Sequence, residues 1–338
     1  MIRAVFDERQ LAHAPTRELH NGDWIPFSEV SDRARDIASL LDCTAPRDHG
    51  LEPILAVHDA QYVAFLERAF DQWKATGRQG DGIGYTFPVI RRRDLVLDRI
   101  DAQLGRYSYD AGTPIAEGTW QAAYWSAQTA LSALQDMADA KERTAFALCR
   151  PPGHHAGPDY MGGYCYLNNA AIAARQASSM GLGPVAVLDV DYHHGNGTQD
   201  IFWQDEAVFF ASIHADPATD YPFYWGHADE RGEGEAHGGT LNLPLPRGTG
   251  WAAYRDALSQ ASEAIAEWGA KFLVLSFGAD TFEGDPISAF KLARDDFPKL
   301  GAAIGAMGLP TLVVMEGGYA VADLGRNVAA FLDGLTAQ

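Results

Sequence analysis

The stretch PVAVLDVDYHHGNGTQD, residues 184–200, decides the fold because it passes from an apolar run into a polar, glycine-containing turn. Its first part contains β-branched residues and few polar ones, which is typical of a strand buried on both faces of a parallel sheet. In open α/β sheets, ligands bind beyond the carboxyl ends of the strands. The stretch therefore predicts a parallel α/β fold with reactive residues where this strand ends.

The same pattern recurs along the chain, where apolar runs that predict strands alternate with patterns that predict helices. The strand candidates are residues 2–6, 144–149, 184–191, 207–214, 240–245, 271–280 and 310–318. The helix candidates are residues 31–41, 60–75, 119–140, 167–180, 251–268, 295–307 and 321–335. We therefore predict one α/β domain over residues 1–338, with an open, mostly parallel β-sheet flanked by helices on both faces.

Two segments lack a clear element in the sequence. Residues 77–118 are rich in Gly, Arg and Asp, and residues 216–239 hold Pro, aromatic and acidic residues. Loops of this length in a compact α/β domain are more often functional than accidental. We expect residues 77–118 to be a long loop insertion.

The composition narrows the class of function. The net charge of −19 argues against a nucleic-acid partner, since nucleic-acid-binding proteins are basic, and it permits a cationic ligand. The three cysteines are odd in number and widely spaced, which disfavours a disulfide framework or a thiolate zinc site. No signal-like segment opens the chain and no apolar run approaches the ~18 residues of a membrane span, so we expect a cytoplasmic protein with no membrane partner.

Acidic and histidine side chains follow several predicted strands. Asp191 and His193 can chelate one cation if the chain curls after Asp191, with Asp189 lying behind them. Asp280 ends another apolar run, where a buried carboxylate is costly unless it is paired or bound to a cation. An O/N/O ligand set suits zinc with an open position for water, and metal-bound water becomes a nucleophile near neutral pH. The alternative is an ordinary βα turn in which Asn196 and Thr198 cap the next helix.

Hydrolysis also needs an acid–base group and a partner for the oxyanion. The loop RPPGHHAG, residues 150–157, supplies His154 and His155, although two surface histidines in a tight turn are the alternative. The turn MEGGYA supplies Tyr319, whose phenol can reach a carbonyl oxygen, although a packed tyrosine is the alternative. Glu316 is expected to be structural, and Asp285 to belong to a turn before Pro286.

Five motifs, in order, resemble the histone-deacetylase superfamily: RPPGHHA, GGYCYLNNAA, LDVDYHHGNGTQ, SFGADTFEGDP and EGGY. The chain is most similar to the bacterial acetylpolyamine amidohydrolase branch, nearly from end to end. The resemblance implies the open α/β arginase–deacetylase fold, in agreement with the independent strand prediction.

The resemblance also implies roles for individual residues. It implies catalytic zinc on Asp191, His193 and Asp280, His155 as general base and then acid, and Tyr319 as the group that polarises the acetyl carbonyl. It implies electrostatic support from His154 with Asp189 behind it, and Asn196 as a neutral partner behind His155. A structural potassium ion is implied on Asp189, Asp191, His193, Ser212 and Ile213. The implied substrate-channel residues are Gly163, Tyr164 and Tyr221.

The function expected from these residues is removal of acetyl groups from acetylated polyamines or similar small cationic amines by a zinc amidohydrolase. The alternatives are a deacetylase of acetyl-lysine in proteins or peptides and, in a different class, a non-catalytic module that binds acetylated ligands. We also expect a homodimer whose 77–118 segments narrow the channel mouth. The acids expected near that mouth are Glu18, Asp101, Asp110 and Glu117.

Overall fold

A computed structural model describes residues 2–89, 95 and 97–337. Its strands are β1 (Arg3–Val5), β2 (Arg17–His20), β3 (Asp23–Pro26), β4 (Cys43–Thr44), β5 (Thr144–Ala147), β6 (Val185–Asp189), β7 (Val208–Ala215), β8 (Thr240–Leu245), β9 (Phe272–Phe277) and β10 (Thr311–Met315). Eight of them form one sheet in the order β4-β1-β5-β10-β9-β6-β7-β8, and every neighbouring pair in that sheet is parallel. Strands β2 and β3 form a separate antiparallel ribbon.

The helices alternate with these strands along the chain. They are α1 (Asp32–Ala38), α2 (Glu52–Leu55), α3 (Ala60–Ala75), α4 (Ile100–Arg106), α5 (Thr119–Ala140), α6 (Asn169–Ser179), α7 (Asn196–Phe202), α8 (Trp251–Trp268), α9 (Phe297–Gly305) and α10 (Val321–Thr336). The predicted fold class, an open and mostly parallel α/β sheet, is confirmed. The elements that the sequence prediction missed outright, namely the β2–β3 ribbon, β4, α2 and α4, are too short to show a clear hydrophobic period.

Side chains of the sheet alternate between two apolar cores. In β9, Leu273, Leu275 and Phe277 belong to the core that α1, α8, α9 and α10 cover. Phe272 and Val274 point to the other core, which α5 and α6 cover. Because both faces are covered, the strands are largely apolar, and the reactive side chains lie at or beyond the carboxyl ends of the strands.

The predicted strand ends at residues 191 and 280 are wrong, because the chain leaves the sheet earlier. β6 ends at Asp189 and β9 ends at Phe277. Beyond Val190, side-chain carboxylates accept hydrogen bonds from backbone N–H groups that would otherwise pair with a neighbouring strand. Asp191 N donates to Asp189 Oδ1 at 3.1 Å, and Tyr192 N donates to Asp280 Oδ1 at 2.9 Å.

The 77–118 segment is only partly a loop. It contains α4, and Gly82 and Ile115 exchange two backbone hydrogen bonds of 2.8 and 2.9 Å that close the segment on itself. Residues 90–94 and 96, which belong to the expected insertion, lie outside the described residues. Among the residues that the structure describes, no helix is long and apolar enough to cross a membrane.

The stacked pair Phe277–Phe331 allows a test of the core. The two rings lie 4.0 Å apart between centroids, and both side chains are fully buried. We expect Phe331→Ala to lower the free energy of unfolding by about 3–5 kcal/mol through lost burial and a residual cavity. Phe223→Ala, at a side chain that is 49% exposed, should cost less than about 1 kcal/mol. Equal effects of the two changes in denaturant unfolding would contradict this packing.

Candidate active site

Asp191, His193 and Asp280 meet at the carboxyl ends of β6 and β9. His193 Nδ1 lies 3.4 Å from Asp191 Oδ1 and 3.1 Å from Asp280 Oδ2. One ligand atom from each of the three residues lies within 4.8 Å of the other two. The turn after β6 helps to bring this set together, because its N–H groups orient both carboxylates: Tyr192 N donates to Asp280 Oδ1 and His193 N to Asp191 Oδ1, each at 2.9 Å.

These residues fit a metal cation. Both carboxylates are fully buried, and burial together with the negative charge of Asp191 raises the pKa of Asp280 to about 7. Two buried carboxylates beside one imidazole are stabilised by a cation that all three can ligate. The backbone also leaves room for the ligands: a Cβ at Gly317 would lie 2.6 Å from Asp191 Oδ2 and 2.7 Å from Asp280 Oδ2.

The tandem histidines lie beside this set and are not surface residues, since each is only 3% exposed. His154 Nδ1 lies 3.0 Å from Asp189 Oδ2, and His155 Nδ1 lies 2.7 Å from Asn196 Oδ1. Glu316 holds their loop, because its Oε2 accepts the N–H groups of Gly153 and His154 at 2.6 and 3.1 Å. The interpretation of the pair as exposed turn residues is therefore wrong.

The surrounding protein groups, without a metal ion, shift the pKa values of the two histidines in opposite directions. Burial lowers the pKa of His155 well below its ordinary value, and the neighbouring His154 and His193 lower it further. Burial also disfavours charge on His154, but Asp189 and Asp191 outweigh it and raise the pKa of His154 to about 10. A neutral His155 that donates from Nδ1 to Asn196 keeps Nε2 free to accept a proton.

The helix-capping interpretation of Asn196 and Thr198 is also wrong. Helix α7 begins at Asn196 with Gly195 as its N-cap, and no side chain caps it. The Asn196 side chain instead reaches His155, and the Thr198 hydroxyl accepts a hydrogen bond from Asn168 Nδ2 at 3.0 Å.

Tyr319 faces the site from the loop after β10. The guanidinium of Arg33 lies 4.8 Å from the centroid of its ring. Asp285 Oδ2 accepts the backbone N–H groups of Tyr319 at 2.6 Å and Ala320 at 3.2 Å. Asp285 does lie in a turn, since its other oxygen accepts from Ile287 N at 3.1 Å, but the turn prediction missed its contact with Tyr319.

Arg33 is a second residue that the sequence interpretation missed. Its Nη2 donates to the Glu316 carbonyl at 2.6 Å and its Nε to the Gly318 carbonyl at 2.5 Å. Arg33 therefore fixes the backbone on both sides of Gly317. No sequence signal marks it, because it lies on α1, far along the chain from the turn that it holds.

Tyr164 forms one side of the site and contacts Glu18. The Tyr164 ring packs edge-on against Tyr319 with 5.7 Å between centroids, and its hydroxyl donates to Glu18 Oε1 at 2.9 Å. Glu18 is only 2% exposed, and among the described residues Glu18 Oε2 has no hydrogen-bond partner. Burial raises the pKa of Glu18 to about 7.

Tyr221 forms another side of the site, with its ring centroid 5.1 Å from that of His155. Its hydroxyl donates to Asp110 Oδ2 at 2.8 Å and also contacts the hydroxyl of Tyr109. The same Asp110 oxygen accepts Gly163 N at 2.7 Å. Asp110 thus ties the Tyr221 side of the site to the turn that precedes Tyr164.

The other acids expected near the channel mouth behave differently from one another. Asp101 is 4% exposed and pairs with Arg99 and Arg78 at 2.6 and 3.3 Å, so its charge is already engaged. The hydrogen bond from Arg99 lowers the pKa of Asp101 to about 2. Glu117 is exposed and lines a surface groove with Lys74 and Asp81.

Three of the five implied potassium residues lie on neighbouring strands. Asp189 of β6 is paired in register with Ser212 of β7, and Ile213 follows Ser212 in the same strand. The Ser212 hydroxyl lies 2.8 Å from His214 Nδ1. All three of Asp189, Ser212 and Ile213 are fully buried.

An open α/β sheet whose carboxyl end carries carboxylate and histidine side chains able to hold a metal, beside a pair of histidines and a tyrosine, is typical of a metal-dependent hydrolase. A histone deacetylase domain model matches residues 27–335. The chain belongs to this histone deacetylase family and is a hydrolytic deacetylase, as the sequence resemblance predicts.

Several relatives match nearly the whole chain. Acetylpolyamine amidohydrolase 2 of Pseudomonas aeruginosa is 48% identical over 99% of this chain and 98% of its own length. Acetylpolyamine amidohydrolase of Mycoplana ramosa is 46% identical over 99% of both chains. The crystal structure of acetylpolyamine aminohydrolase from Burkholderia pseudomallei superimposes with a TM-score of 0.95 at 40% identity, covering 100% of this chain and 99% of that one.

Two buried aspartates five positions apart provide a matched test of the site. We expect Asp280→Ala to abolish both bound divalent metal and deacetylation, because it removes one of the three ligand groups. Asp285→Ala should retain the metal and lower kcat at least tenfold, because it releases the backbone of Tyr319. Metal content by atomic emission and steady-state rates check both expectations. Full metal content in Asp280→Ala would show that the ligand set is wrongly assigned.

Proposed function

We propose that this chain is a zinc-dependent amidohydrolase that removes the acetyl group from acetylated polyamines or similar small cationic amines, releasing acetate and the free amine. The observation that carries the reaction type is the set of two buried carboxylates, Asp191 and Asp280, and the half-buried His193, next to His155 and Tyr319. The names of the relatives above support the substrate class. The buried Oε2 of Glu18, which has no hydrogen-bond partner in the part of the chain that the structure describes, supports a cationic substrate.

Zinc fits the O/N/O donor set of Asp191, His193 and Asp280, and when bound there it would acidify a water molecule and polarise the acetyl carbonyl. The same proposal includes a structural potassium ion beside β6 and β7, held by Asp189, Ser212 and backbone oxygens of Asp191, His193 and Ile213. The pairing of Asp189 with Ser212 across these strands supports it.

Side chains of this chain would then transfer the protons and stabilise the charge that develops during the reaction. His155 Nε2 accepts a proton from the attacking water while Asn196 holds Nδ1, and His155 later gives this proton to the leaving amine. His154, paired with Asp189, stabilises the negative charge that develops beside the three ligand residues. The Tyr319 hydroxyl donates a hydrogen bond to the oxygen of the acetyl group as negative charge develops on it.

Tyr319→Phe tests the role of the phenol. Removing one oxyanion donor typically costs ~10²–10³ in rate, so we expect kcat to fall by about that factor. Bound metal should stay at the wild-type level, because no ligand atom is changed. A Tyr319→Phe enzyme within about threefold of the wild-type kcat would contradict this role.

The distal charge of the substrate is expected to meet Glu18. The net charge of −19 favours the approach of cations, and Glu18 presents a buried oxygen without a partner among the described residues. Because the pKa of Glu18 is raised to about 7, its ionised fraction increases as pH rises from 6 to 8. An ammonium group should therefore bind more tightly at the upper end of this range.

Glu18→Gln tests this contact with two substrates that share an acetamide and a four-carbon chain and differ in the terminal ammonium group. For N-acetylputrescine we expect KM of the wild type to fall between pH 6 and 8, and Glu18→Gln to raise KM about tenfold at pH 8 and flatten this dependence. For N-butylacetamide, which lacks the ammonium group, Glu18→Gln should leave KM nearly unchanged. An equal rise in KM for both substrates would contradict a contact between Glu18 and the ammonium group.

A competition assay between two substrates distinguishes the proposed function from its alternatives. A deacetylase of acetyl-lysine peptides belongs to the same family, and a binding module without turnover would need neither His155 nor Tyr319. We propose a homodimer in which the 77–118 segments restrict access, and the exposed apolar side chains of Tyr85, Val89 and Leu95 in that segment support it. Measured in one mixture, N-acetylputrescine should be consumed faster than an acetyl-lysine peptide. A faster peptide reaction would reverse the substrate assignment.

A further inference from the structure

Asp220 is a buried carboxylate that joins three parts of the chain. It is 8% exposed, and its Oδ1 accepts the Tyr192 hydroxyl at 2.7 Å and Arg247 Nη1 at 2.6 Å. Its Oδ2 accepts the Thr219 hydroxyl at 2.8 Å. Tyr192 follows β6 and Arg247 follows β8, so Asp220 bridges the segment after β7 to the turns on both sides of it.

Tyr192 connects this carboxylate to the metal-ligand set. It stands between Asp191 and His193 in the chain, and its own backbone N–H donates to Asp280 Oδ1 at 2.9 Å. Its carbonyl accepts the N–H group of Ala215 at 2.8 Å. The Tyr192 ring also packs edge-on against His193, with 4.9 Å between centroids. These contacts fix Tyr192 on the backbone that carries the ligand set, so its hydroxyl is a fixed point to which Asp220 is anchored.

Tyr221 is the next residue after Asp220. The backbone on both sides of it is held through Asp220, whose N–H donates to the Asp216 carbonyl at 3.0 Å and whose carbonyl accepts Phe223 N at 3.1 Å. Tyr221 packs against His155 and thus forms part of the surface that a substrate must pass. Its place relative to the ligand set depends on how Asp220 is held.

We propose that Asp220 is a positioning residue that sets substrate fit without touching the substrate. It holds the backbone of Tyr221 and, through Tyr192, fixes the Tyr221 side of the site relative to the metal ligands. The proposal rests on the function proposed above. Because Asp220 contacts neither His155 nor Tyr319, its loss should weaken binding equally in the ground state and the transition state, which raises KM and leaves kcat unchanged.

A double-mutant cycle tests the connection. We expect Tyr192→Phe to raise KM for N-acetylputrescine about threefold to tenfold with kcat within about twofold of wild type, the size of one net hydrogen bond. Asp220→Ala should raise KM at least as much, and adding Tyr192→Phe to it should change nothing further. The control is Asp256→Asn, in an exposed Arg255–Asp256 pair, which should leave KM unchanged. Effects of Tyr192→Phe and Asp220→Ala that multiply would overturn the proposal.

Amide hydrogen exchange of the same proteins without substrate provides a readout that does not depend on turnover. Exchange across residues 216–226 should become faster in Tyr192→Phe and Asp220→Ala, with exchange in β6 and β9 unchanged. Unchanged exchange of that segment would overturn the proposal even if KM rises. If the wild type does not hydrolyse acetylated amines, the proposed function fails, whereas exchange still decides the role of Asp220. If Asp220→Ala does not fold, Arg247→Gln takes its place in the double-mutant cycle with Tyr192→Phe. Amide hydrogen exchange is then measured on Tyr192→Phe and Arg247→Gln.

Discussion

Two buried carboxylates, those of Asp191 and Asp280, share one histidine at the end of the sheet, and the surrounding structure is arranged around this constraint. Carboxylates placed this close together in a dry environment repel each other and lose hydration. The chain offsets this cost with backbone N–H groups: Gly317 N donates to Asp191 Oδ2 at 2.8 Å, His193 N to Asp191 Oδ1 at 2.9 Å, and Tyr192 N to Asp280 Oδ1 at 2.9 Å. A cation bound by the three residues would supply the remaining stabilisation.

The need to keep this arrangement explains why distant parts of the chain converge on a few turns. Gly317 must lack a side chain because a Cβ there would crowd both carboxylates. The turn around it is then fixed from outside, by Arg33 from α1 and by Asp285 from the loop after β9. Glu316 extends the same support to the histidine loop. The reactive groups are positioned by backbone contacts more than by contacts with one another.

The sequence predicts the parts of the site that depend on one local rule. Reactive residues at the carboxyl ends of parallel strands must meet at one sheet edge, so strand patterns alone place His154, His155, Asp191, His193 and Asp280 near one another. Strand patterns cannot show which backbone groups a distant side chain will hold. Strand patterns therefore do not reveal Arg33 or the contacts that Asp110 and Asp285 make, since each acts on a segment that lies far away in sequence.

Anomalous diffraction from crystals of the purified protein, measured above and below the zinc edge, tests the central claim most directly. The structure contains a second group of buried side chains whose ligand atoms lie within 4.8 Å of one another, namely His154, Cys165 and Glu316. The experiment therefore distinguishes between two sites that could hold the ion. The account predicts one strong peak within bonding distance of Asp191, His193 and Asp280. A peak at the second group, or no peak at the three residues in active crystals, would contradict it.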